Sequence, residues 1–262
     1  MFDLVRRGGV CFLQSTLLNA LPVHHALTLR QGGISPEPFD TLNMGLHTED
    51  KIENVIVNRS RVCDALGVSL DSWVAGVQVH GVNYGIVKTE DAGRGARSQD
   101  SAIPNTDILV TNTPGLLLAS FYADCVPVLL TDPVRQVVAV AHCGWRGTLR
   151  EAAGVAVKAM VDEFGSLPSD LMAVIGPSIG PCCYEVSESL ARDFEAHFGA
   201  DIVLGRQLDL RLANRRVLRQ AGLRSGCIHM APWCTRCQQQ LFFSHRAAKG
   251  RTGRTAVLLG LR

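Results

Sequence analysis

The sequence lacks a long apolar run, a large excess of charge and any region of low complexity. No apolar stretch approaches the roughly 20 residues that cross a membrane. The 26 Lys and Arg residues nearly balance the 24 Asp and Glu residues, so the formal net charge is only +2. A balance this close gives no electrostatic footprint for nucleic acid. We therefore predict neither a membrane nor a nucleic-acid partner.

The first residues also lack the pattern of a secretory leader, because Asp3 interrupts them early and no long apolar core follows. The chain has nine cysteines, which is an odd number. Cysteines of proteins without a leader are usually reduced thiols, and some of them bind metal or act in catalysis. We therefore predict a cytoplasmic protein with free thiols.

Internal repeats and linkers are absent as well, and the composition is that of a soluble globular protein. Strand and helix patterns are mixed rather than strictly alternating, which predicts one α+β domain over residues 1–262. The apolar periodicity predicts helices at 53–66, 149–164, 187–198 and 209–221. It predicts strands at 73–79, 107–111, 115–122, 126–130, 136–142, 172–175, 227–230 and 255–261.

The segment 136–148 combines a predicted buried strand with a cluster of polar side chains at its end. His142, Cys143 and Arg146 follow the apolar run. Thr148 and Glu151 then have the spacing of a helix capping box. Since the amide groups of a helix start favour anions, this corner could bind a metal and an anion. The alternative is a tight turn in which these side chains only satisfy nearby carbonyl groups.

Three side chains, His80, Cys125 and His142, stand at the ends of predicted strands. Catalytic zinc commonly has three protein ligands of these types and one open position. The spacing of the three matches no compact metal motif, so two other interpretations stay open. The three can be ordinary core residues, or Cys125 can be a nucleophile with His142 or His80 as its base.

Four further cysteines form two short motifs. Cys234 and Cys237 have the spacing of half a structural zinc site, but the second Cys-x-x-Cys motif is missing. Cys182 and Cys183 are adjacent. We interpret the first pair as inert loop thiols and the second as a packed pair of small side chains.

Seven motifs, read together, resemble the laccase-domain (YfiH-like) family, whose members were formerly called multicopper polyphenol oxidases. They occur in order over nearly the whole chain: Thr28–Ser35 (TLRQGGIS), Asn43–His47 (NMGLH), Gln78–Gly81 (QVHG), Ala123–Pro127 (ADCVP), His142–Gly147 (HCGWRG), Gly176–Val186 (GPSIGPCCYEV) and Phe242–Arg246 (FFSHR).

The resemblance implies a layered α/β/β/α sandwich and a metal site made of His80, Cys125 and His142. The implied metal is zinc, with copper as a possibility. The implied activity is phosphorolysis of adenosine, inosine and methylthioadenosine to the free base and a ribose 1-phosphate, together with deamination of adenosine. Purine nucleosides and phosphate would then be the partners, and a homodimer is possible.

The resemblance also suggests roles for residues inside these motifs. In deamination zinc would activate a water molecule for attack at the purine C6 position, and Asp124 is our candidate for proton transfer. Arg146 is the first candidate for the phosphate ligand. Arg30, Asn43 and Arg246 are further candidates for binding substrate or phosphate.

The chain departs from the family pattern at two places. Cys143 stands where the family usually has alanine, beside a proposed metal ligand. Ala247 and Ala248 stand where the family often has Arg-Asp. These departures bear on the choice of metal and on the affinity for substrate.

Two other classes of function also remain. Kinship with toxin deamidases and with cell-wall editing factors keeps a cysteine-type hydrolase or a peptidoglycan-precursor editing factor open. A copper-dependent polyphenol oxidase is disfavoured, because multicopper oxidases need His-x-His pairs and the eight histidines of this chain form none.

Overall fold

A computed structural model describes residues 1–262, which fold into two six-stranded mixed sheets and five α-helices. The strands are β1 Phe2–Arg7, β2 Val10–Ser15, β3 Val23–Thr28, β4 Trp73–Ala75, β5 Tyr84–Ile86, β6 Ile108–Thr111, β7 Leu117–Tyr122, β8 Val126–Asp132, β9 Val137–Cys143, β10 Met172–Ile175, β11 Val203–Leu204, β12 Gln207–Leu208, β13 Ile228–Met230 and β14 Thr255–Leu261. The helices are α1 Ile52–Leu66, α2 Trp145–Leu149, α3 Ala152–Phe164, α4 Glu188–Phe198 and α5 Leu210–Gln220.

The first sheet has the strand order β1-β2-β3-β14-β7-β4 and the second β13-β10-β8-β9-β6-β5. The strands β11 and β12 form a separate two-stranded ribbon. Both large sheets contain antiparallel and parallel pairs. In the first sheet β14 is antiparallel and β4 parallel to β7, and in the second sheet β8 is antiparallel to β9 and β5 is parallel to β6. None of the five α-helices has the length and apolar character that a membrane-spanning helix requires.

Three hydrophobic clusters define four layers. One cluster lies between α1 and the first sheet, a second between the two sheets, and a third between the second sheet and the helices α3, α4 and α5. Because both faces of each sheet are covered, the central strands are apolar at nearly every position rather than at alternate ones. The α+β fold class is therefore confirmed, and the layers form the expected α/β/β/α sandwich.

The alternation of side chains along β9 decides which residues face the site. Val138 and Val140 point between the sheets, whereas Ala139 and Cys143 point towards the helices. His142 shares the face of Val138 and Val140, because side chains two apart lie on the same side of a strand. Cys143 is fully buried on the opposite face, so the unusual thiol packs in the core behind α3.

The helix predictions at 53–66, 187–198 and 209–221 are confirmed within one or two residues. Gly67 ends α1 in the left-handed conformation with φ 73°, and Ser187 and Asp209 cap α4 and α5 with their side chains. Each of these ends has the residue type that satisfies free backbone groups at a helix terminus.

The predicted capping box at Thr148 and Glu151 is wrong. Thr148 lies inside the short helix α2, and its hydroxyl is held in the interior by Asn214, which donates to it over 3.0 Å. Glu151 precedes α3 with φ 56°, and its carboxylate contacts His197 instead of a backbone amide. The single helix predicted at 149–164 is thus two helices with a break at Glu151.

The strand predicted at 73–79 is also too long, since β4 ends at Ala75. Beyond Ala75, the side chain of Gln78 takes the place of backbone pairing with β7 by bonding to the backbone of Phe121. Its amide donates to the carbonyl of Phe121 over 3.0 Å and accepts from the amide of Phe121 over 2.8 Å. The backbone then turns at His80, where φ is 61°.

Candidate metal centre and its cavity

The neighbouring strands β8 and β9 bring Cys125 and His142 together. Val126, the first residue of β8, is opposite Cys143, and Pro127 is opposite His142. Because the two strands are antiparallel, the start of β8 lies beside the end of β9. Cys125, which immediately precedes β8, therefore comes close to the His142 side chain although the two residues are distant in sequence.

Asp107, which immediately precedes the adjacent strand β6, fixes the other parts of the centre. Its carboxylate accepts hydrogen bonds from the backbone amides of Val79, His80 and Gly81 over 3.1, 2.9 and 2.8 Å. The same carboxylate contacts Nδ1 of His142 over 2.8 Å. This contact makes Nδ1 the protonated nitrogen and leaves Nε2 as the ligand atom.

The ligand atoms of His80, Cys125 and His142 all lie within 4.8 Å of one another. The two imidazole rings meet edge to face, with centroids 4.8 Å apart. A glycine is needed at position 144, because a Cβ atom there would lie 3.0 Å from the His80 ring and 3.1 Å from the Cys125 sulfur. Two imidazoles and one thiolate, with a carboxylate behind one imidazole, form a donor set that fits zinc.

The electrostatics of the group favour an ionised thiol. Burial acts to raise the pKa of Cys125, but the charges of His142 and His80 and their hydrogen bonds outweigh it and lower the pKa to about 6. Burial acts to lower the pKa of His142, but the Cys125 sulfur and the Asp107 carboxylate raise it to about 9. Without metal, the pair is therefore a thiolate and an imidazolium at neutral pH.

Asp124 directly precedes Cys125 and takes a left-handed backbone conformation with φ 87°. Its carboxylate is buried and accepts three hydrogen bonds. Thr235 donates to it over 2.6 Å, Ser244 over 3.1 Å, and the backbone amide of Arg246 over 2.7 Å. These bonds tie the chain beside Cys125 to the long irregular segment 231–254.

The three candidate metal ligands lie in the wall of a cavity of about 480 Å³, a size typical of small-molecule sites. Aromatic rings of Phe121, Trp145 and Tyr184 line it, and so do the side chains of Arg146, Arg246 and Arg254. The complete lining is His47, Gly76, Val77, Gln78, His80, Gln99, Phe121, Ala123, Asp124, Cys125, His142, Trp145, Arg146, Ile179, Tyr184, Leu210, His245, Arg246 and Arg254.

Two of the cavity arginines are placed by aromatic rings. The Arg146 guanidinium lies 4.2 Å from the ring centre of Trp145, and the Arg246 guanidinium lies 5.1 Å from that of Tyr184. No carboxylate forms an ion pair with either of them. Their positive charges are therefore available to an anion in the cavity.

Arg30 and Asn43, which we expected to contact substrate, do not line the cavity. Arg30 forms an ion pair with Asp40 over 2.9 Å and stacks on Phe243. Asn43 is fully buried, and its side-chain oxygen accepts from the backbone amide of Arg254 over 2.9 Å. Asn43 thus supports the loop that carries a cavity arginine.

Sequence reasoning missed Asp107 and Arg254 among the residues of the site. Asp107 could have been found, because an acid directly before a buried strand occupies the same kind of position as Cys125. Arg254 carried no local signal, since it lies among other basic residues near the C-terminus.

Comparison with known proteins identifies the family of the chain. Residues 24–262 match the family model described as "Multi-copper polyphenol oxidoreductase laccase". The chain belongs to this laccase-domain family. The resemblance inferred from the seven motifs is therefore confirmed.

Curated members of the laccase-domain family carry names from purine metabolism. The chain is 39% identical over 242 residues to "Purine nucleoside phosphorylase YlmD" of Bacillus subtilis, a match that covers 90% of this chain and 87% of that protein. It is 32% identical over 225 residues to "Adenosine deaminase RL5" of an unknown prokaryotic organism, covering 83% and 86%.

The fold is shared with a solved laccase-domain structure. The structure of the "hypothetical protein YfiH" of Bacillus licheniformis superposes with a TM-score of 0.95 at 38% identity and covers 100% of this chain and 99% of that one. The laccase-domain relatives are named as purine nucleoside phosphorylases and an adenosine deaminase, so the family is one of purine nucleoside enzymes.

Proposed function

We propose that this chain is a zinc-dependent purine nucleoside enzyme. It would cleave adenosine, inosine and methylthioadenosine with phosphate to give the base and a ribose 1-phosphate, and it would also deaminate adenosine. The observation that carries the proposal is the group of His80, Cys125 and His142 in the wall of a cavity that also presents unpaired arginines. The printed names of the relatives support the same reaction classes.

Zinc is the metal that we propose for this group, because two imidazoles and a thiolate match its preferred ligands. When bound, zinc supplies a Lewis acid that lowers the pKa of a water molecule and polarises oxygen atoms of a substrate. Copper is an alternative, because imidazole and thiolate ligands also suit it. Elemental analysis of protein purified without added metal, in reducing buffer, distinguishes the two.

The cavity wall supplies surfaces for the other parts of the substrates. The rings of Phe121, Trp145 and Tyr184 offer apolar faces on which a purine can stack. The guanidinium groups of Arg146 and Arg246 offer paired N–H donors that match a phosphate group. We therefore propose that phosphate binds between these arginines and the ribose, with Arg146 as the principal ligand.

Replacement of Arg146 tests this assignment. In Arg146→Ala the KM for phosphate should rise by at least ~10-fold, because one charge-assisted hydrogen bond contributes about 1.5–3 kcal/mol. The KM for the nucleoside should change less. Arg150→Ala is a matched control, since Arg150 is also exposed and follows α2 but does not line the cavity. An unchanged phosphate KM in Arg146→Ala would remove Arg146 from the proposal.

Asp124 is proposed to transfer a proton during deamination. Asp124 lines the cavity, and its carboxylate accepts three hydrogen bonds, which hold it in place. In Asp124→Asn, kcat for deamination should fall far more than kcat for phosphorolysis. A parallel loss of both activities and of thermal stability would assign Asp124 a purely structural role.

The experiment that tests the overall proposal is a product assay on protein whose zinc content has been measured. Adenosine is supplied with and without phosphate, and the bases and nucleosides are separated by chromatography. Adenine that appears only with phosphate demonstrates phosphorolysis, and inosine that appears without phosphate demonstrates deamination. If fully zinc-loaded protein forms neither adenine nor inosine, the proposal is overturned.

A cysteine-type hydrolase is the second candidate function, and one observation favours it. Cys125, His142 and Asp107 form a chain of thiol, imidazole and carboxylate, the arrangement of a thiol nucleophile with its base and orienting acid. Such an enzyme would work without metal and would be blocked by alkylation of Cys125. Hydrolysis of an amide substrate by chelator-treated protein, and its loss on adding zinc, would favour this candidate over the first.

The place of action proposed for the enzyme is the cytoplasm. All nine cysteines are free thiols in the structure. Reduced thiols persist in the cytoplasm. Fractionation of cells that express the chain tests this location.

A further inference from the structure

A second group of metal-binding side chains lies outside the cavity. Cys182 and Cys183 belong to the loop between β10 and α4, and Cys234 and Cys237 belong to the irregular segment 231–254. The four sulfur atoms lie within 4.8 Å of one another. The missing half of the Cys234-x-x-Cys237 motif is thus supplied by Cys182 and Cys183, which the fold brings from another part of the chain.

The distances between the sulfur atoms suit one tetrahedral ion. The Sγ atoms of Cys182 and Cys237 are 3.6 Å apart, and those of Cys183 and Cys237 are 3.4 Å apart. Zinc–sulfur bonds of about 2.3 Å in a regular tetrahedron place neighbouring sulfur atoms about 3.8 Å apart. The four thiols therefore need only small side-chain movements to surround a zinc ion.

The backbone around the group is arranged to receive negatively charged sulfur. The amide of Gly180 donates a hydrogen bond to the sulfur of Cys234 over 3.2 Å. A Cβ atom at position 180 would lie 3.2 Å from the Cβ of Cys234 and 3.4 Å from the sulfur of Cys182, so the absence of a side chain permits this close approach. Hydrogen bonds from backbone amides stabilise thiolates that bind metal.

We propose that Cys182, Cys183, Cys234 and Cys237 bind a second, structural zinc ion. Four zinc–sulfur bonds form, each thiol proton leaves to solvent, and no electron is transferred. Four thiolates at tetrahedral spacing are the ligand set of closed structural zinc sites, which leave no open position for substrate. The proposal does not depend on which reaction the cavity performs.

The position of the group gives the ion a structural purpose. The segment 231–254 contains no helix or strand, and irregular segments of this length are uncommon in compact domains. Zinc would cross-link this segment to the 176–186 loop beside the cavity. Tyr184 follows Cys183, and Thr235, which donates to Asp124, follows Cys234. The ion therefore holds in place residues that shape the cavity, and the ion itself does not contact substrate.

The test is the zinc content of the full chain, purified in reducing buffer from cells supplied with zinc. Wild-type protein should contain two zinc ions per chain. Cys237→Ser should contain one, and His80→Ala should also contain one. The combined variant should contain almost none. Cys227→Ser is the matched control, because Cys227 is free but does not belong to the group, and it should retain both ions.

Cobalt provides a readout that distinguishes the two sites. Cobalt-loaded His80→Ala should keep the intense sulfur-to-cobalt charge-transfer bands of a tetrathiolate site, whereas cobalt-loaded Cys237→Ser should lose most of that intensity. Cys237→Ser should also melt at a lower temperature than Cys227→Ser, because bound structural zinc contributes to folding.

One zinc ion per wild-type chain, unchanged in Cys237→Ser, would overturn the proposal. A disulfide among these four cysteines in the metal-free protein, detected by mass spectrometry under reducing purification, would overturn it as well.

Discussion

Replacement of Asp107 by asparagine tests the most connected contact of the metal centre. One oxygen of this carboxylate accepts hydrogen bonds from Nδ1 of His142 and from the backbone amide of His80. The other oxygen accepts hydrogen bonds from the backbone amides of Val79 and Gly81. All four partners are donors. An asparagine side chain must therefore turn its NH₂ group towards two of them, whichever way it is oriented.

The magnitude follows from these contacts. Two hydrogen bonds to a charged acceptor are lost, at about 1.5–3 kcal/mol each, so the free energy of unfolding should fall by ~3–6 kcal/mol. Loss of the residue that orients a metal-binding histidine typically lowers metal affinity by about 10–100-fold. Both effects should appear in Asp107→Asn, because Asp107 orients His142 and holds the backbone at His80.

Asp132→Asn is the matched control. Asp132 is equally buried, and its carboxylate accepts from the amides of Val134 and Arg135 over 2.9 and 3.0 Å. It lies at the end of β8 that is farthest from Cys125. Zinc affinity is measured by competition with a chromophoric chelator at a temperature where both variants are folded. The reasoning is refuted if Asp107→Asn binds zinc as tightly as wild type, or if both variants lose affinity equally.

Two further predictions concern the metal centre, and a third concerns the buried Arg59 of α1. Gly144→Ala should lower zinc affinity without removing a ligand, because the added methyl group meets the His80 ring and the Cys125 sulfur; equal affinity by chelator competition would contradict this. The pKa of Cys125 is lowered to about 6 and that of His142 is raised to about 9, so between these values the pair holds one titratable proton, on Nε2 of His142, besides the proton on Nδ1. Zinc should displace that proton, and its affinity for the pair should therefore rise about tenfold per pH unit in this range. Calorimetry in buffers of different ionisation enthalpy should detect about one proton released for each zinc ion bound. Release of no proton would contradict the assignment of a thiolate at Cys125 and an imidazolium at His142. Arg59→Met should reduce the free energy of unfolding by ~3 kcal/mol or more, because the buried guanidinium donates to three backbone carbonyls that would lose their partners; urea unfolding measures the loss, and a change below ~1 kcal/mol would contradict it.

Many strands and helices were predictable because short local sequence patterns determine them. The apolar runs of β8 and β9 and the caps at Gly67, Ser187 and Asp209 are signals within a few residues of the elements they define. The break at Glu151 was not predictable, because apolar periodicity continues across it. What ends the helix there is a left-handed backbone residue and a buried hydroxyl at Thr148 that bonds elsewhere.

The candidate site was partly predictable from strand ends. His142 and Cys125 each adjoin a buried strand, and antiparallel pairing brings them together. The role of Asp107 depended on the position of β6 beside β9, which the sequence does not state. The proximity of the four cysteines was not predictable for the same reason, because Cys182 and Cys234 become neighbours only when the segment 231–254 crosses the 176–186 loop.

The measurement that tests the central claim most directly is adenine formation by wild-type protein and by His142→Ala, at measured zinc content, with adenosine and phosphate supplied. The account predicts that wild type releases adenine and ribose 1-phosphate in equal amounts and only when phosphate is present. His142→Ala should lack the zinc of the cavity and release neither product. Phosphate-dependent release of adenine by a folded His142→Ala variant at the wild-type rate would contradict the account.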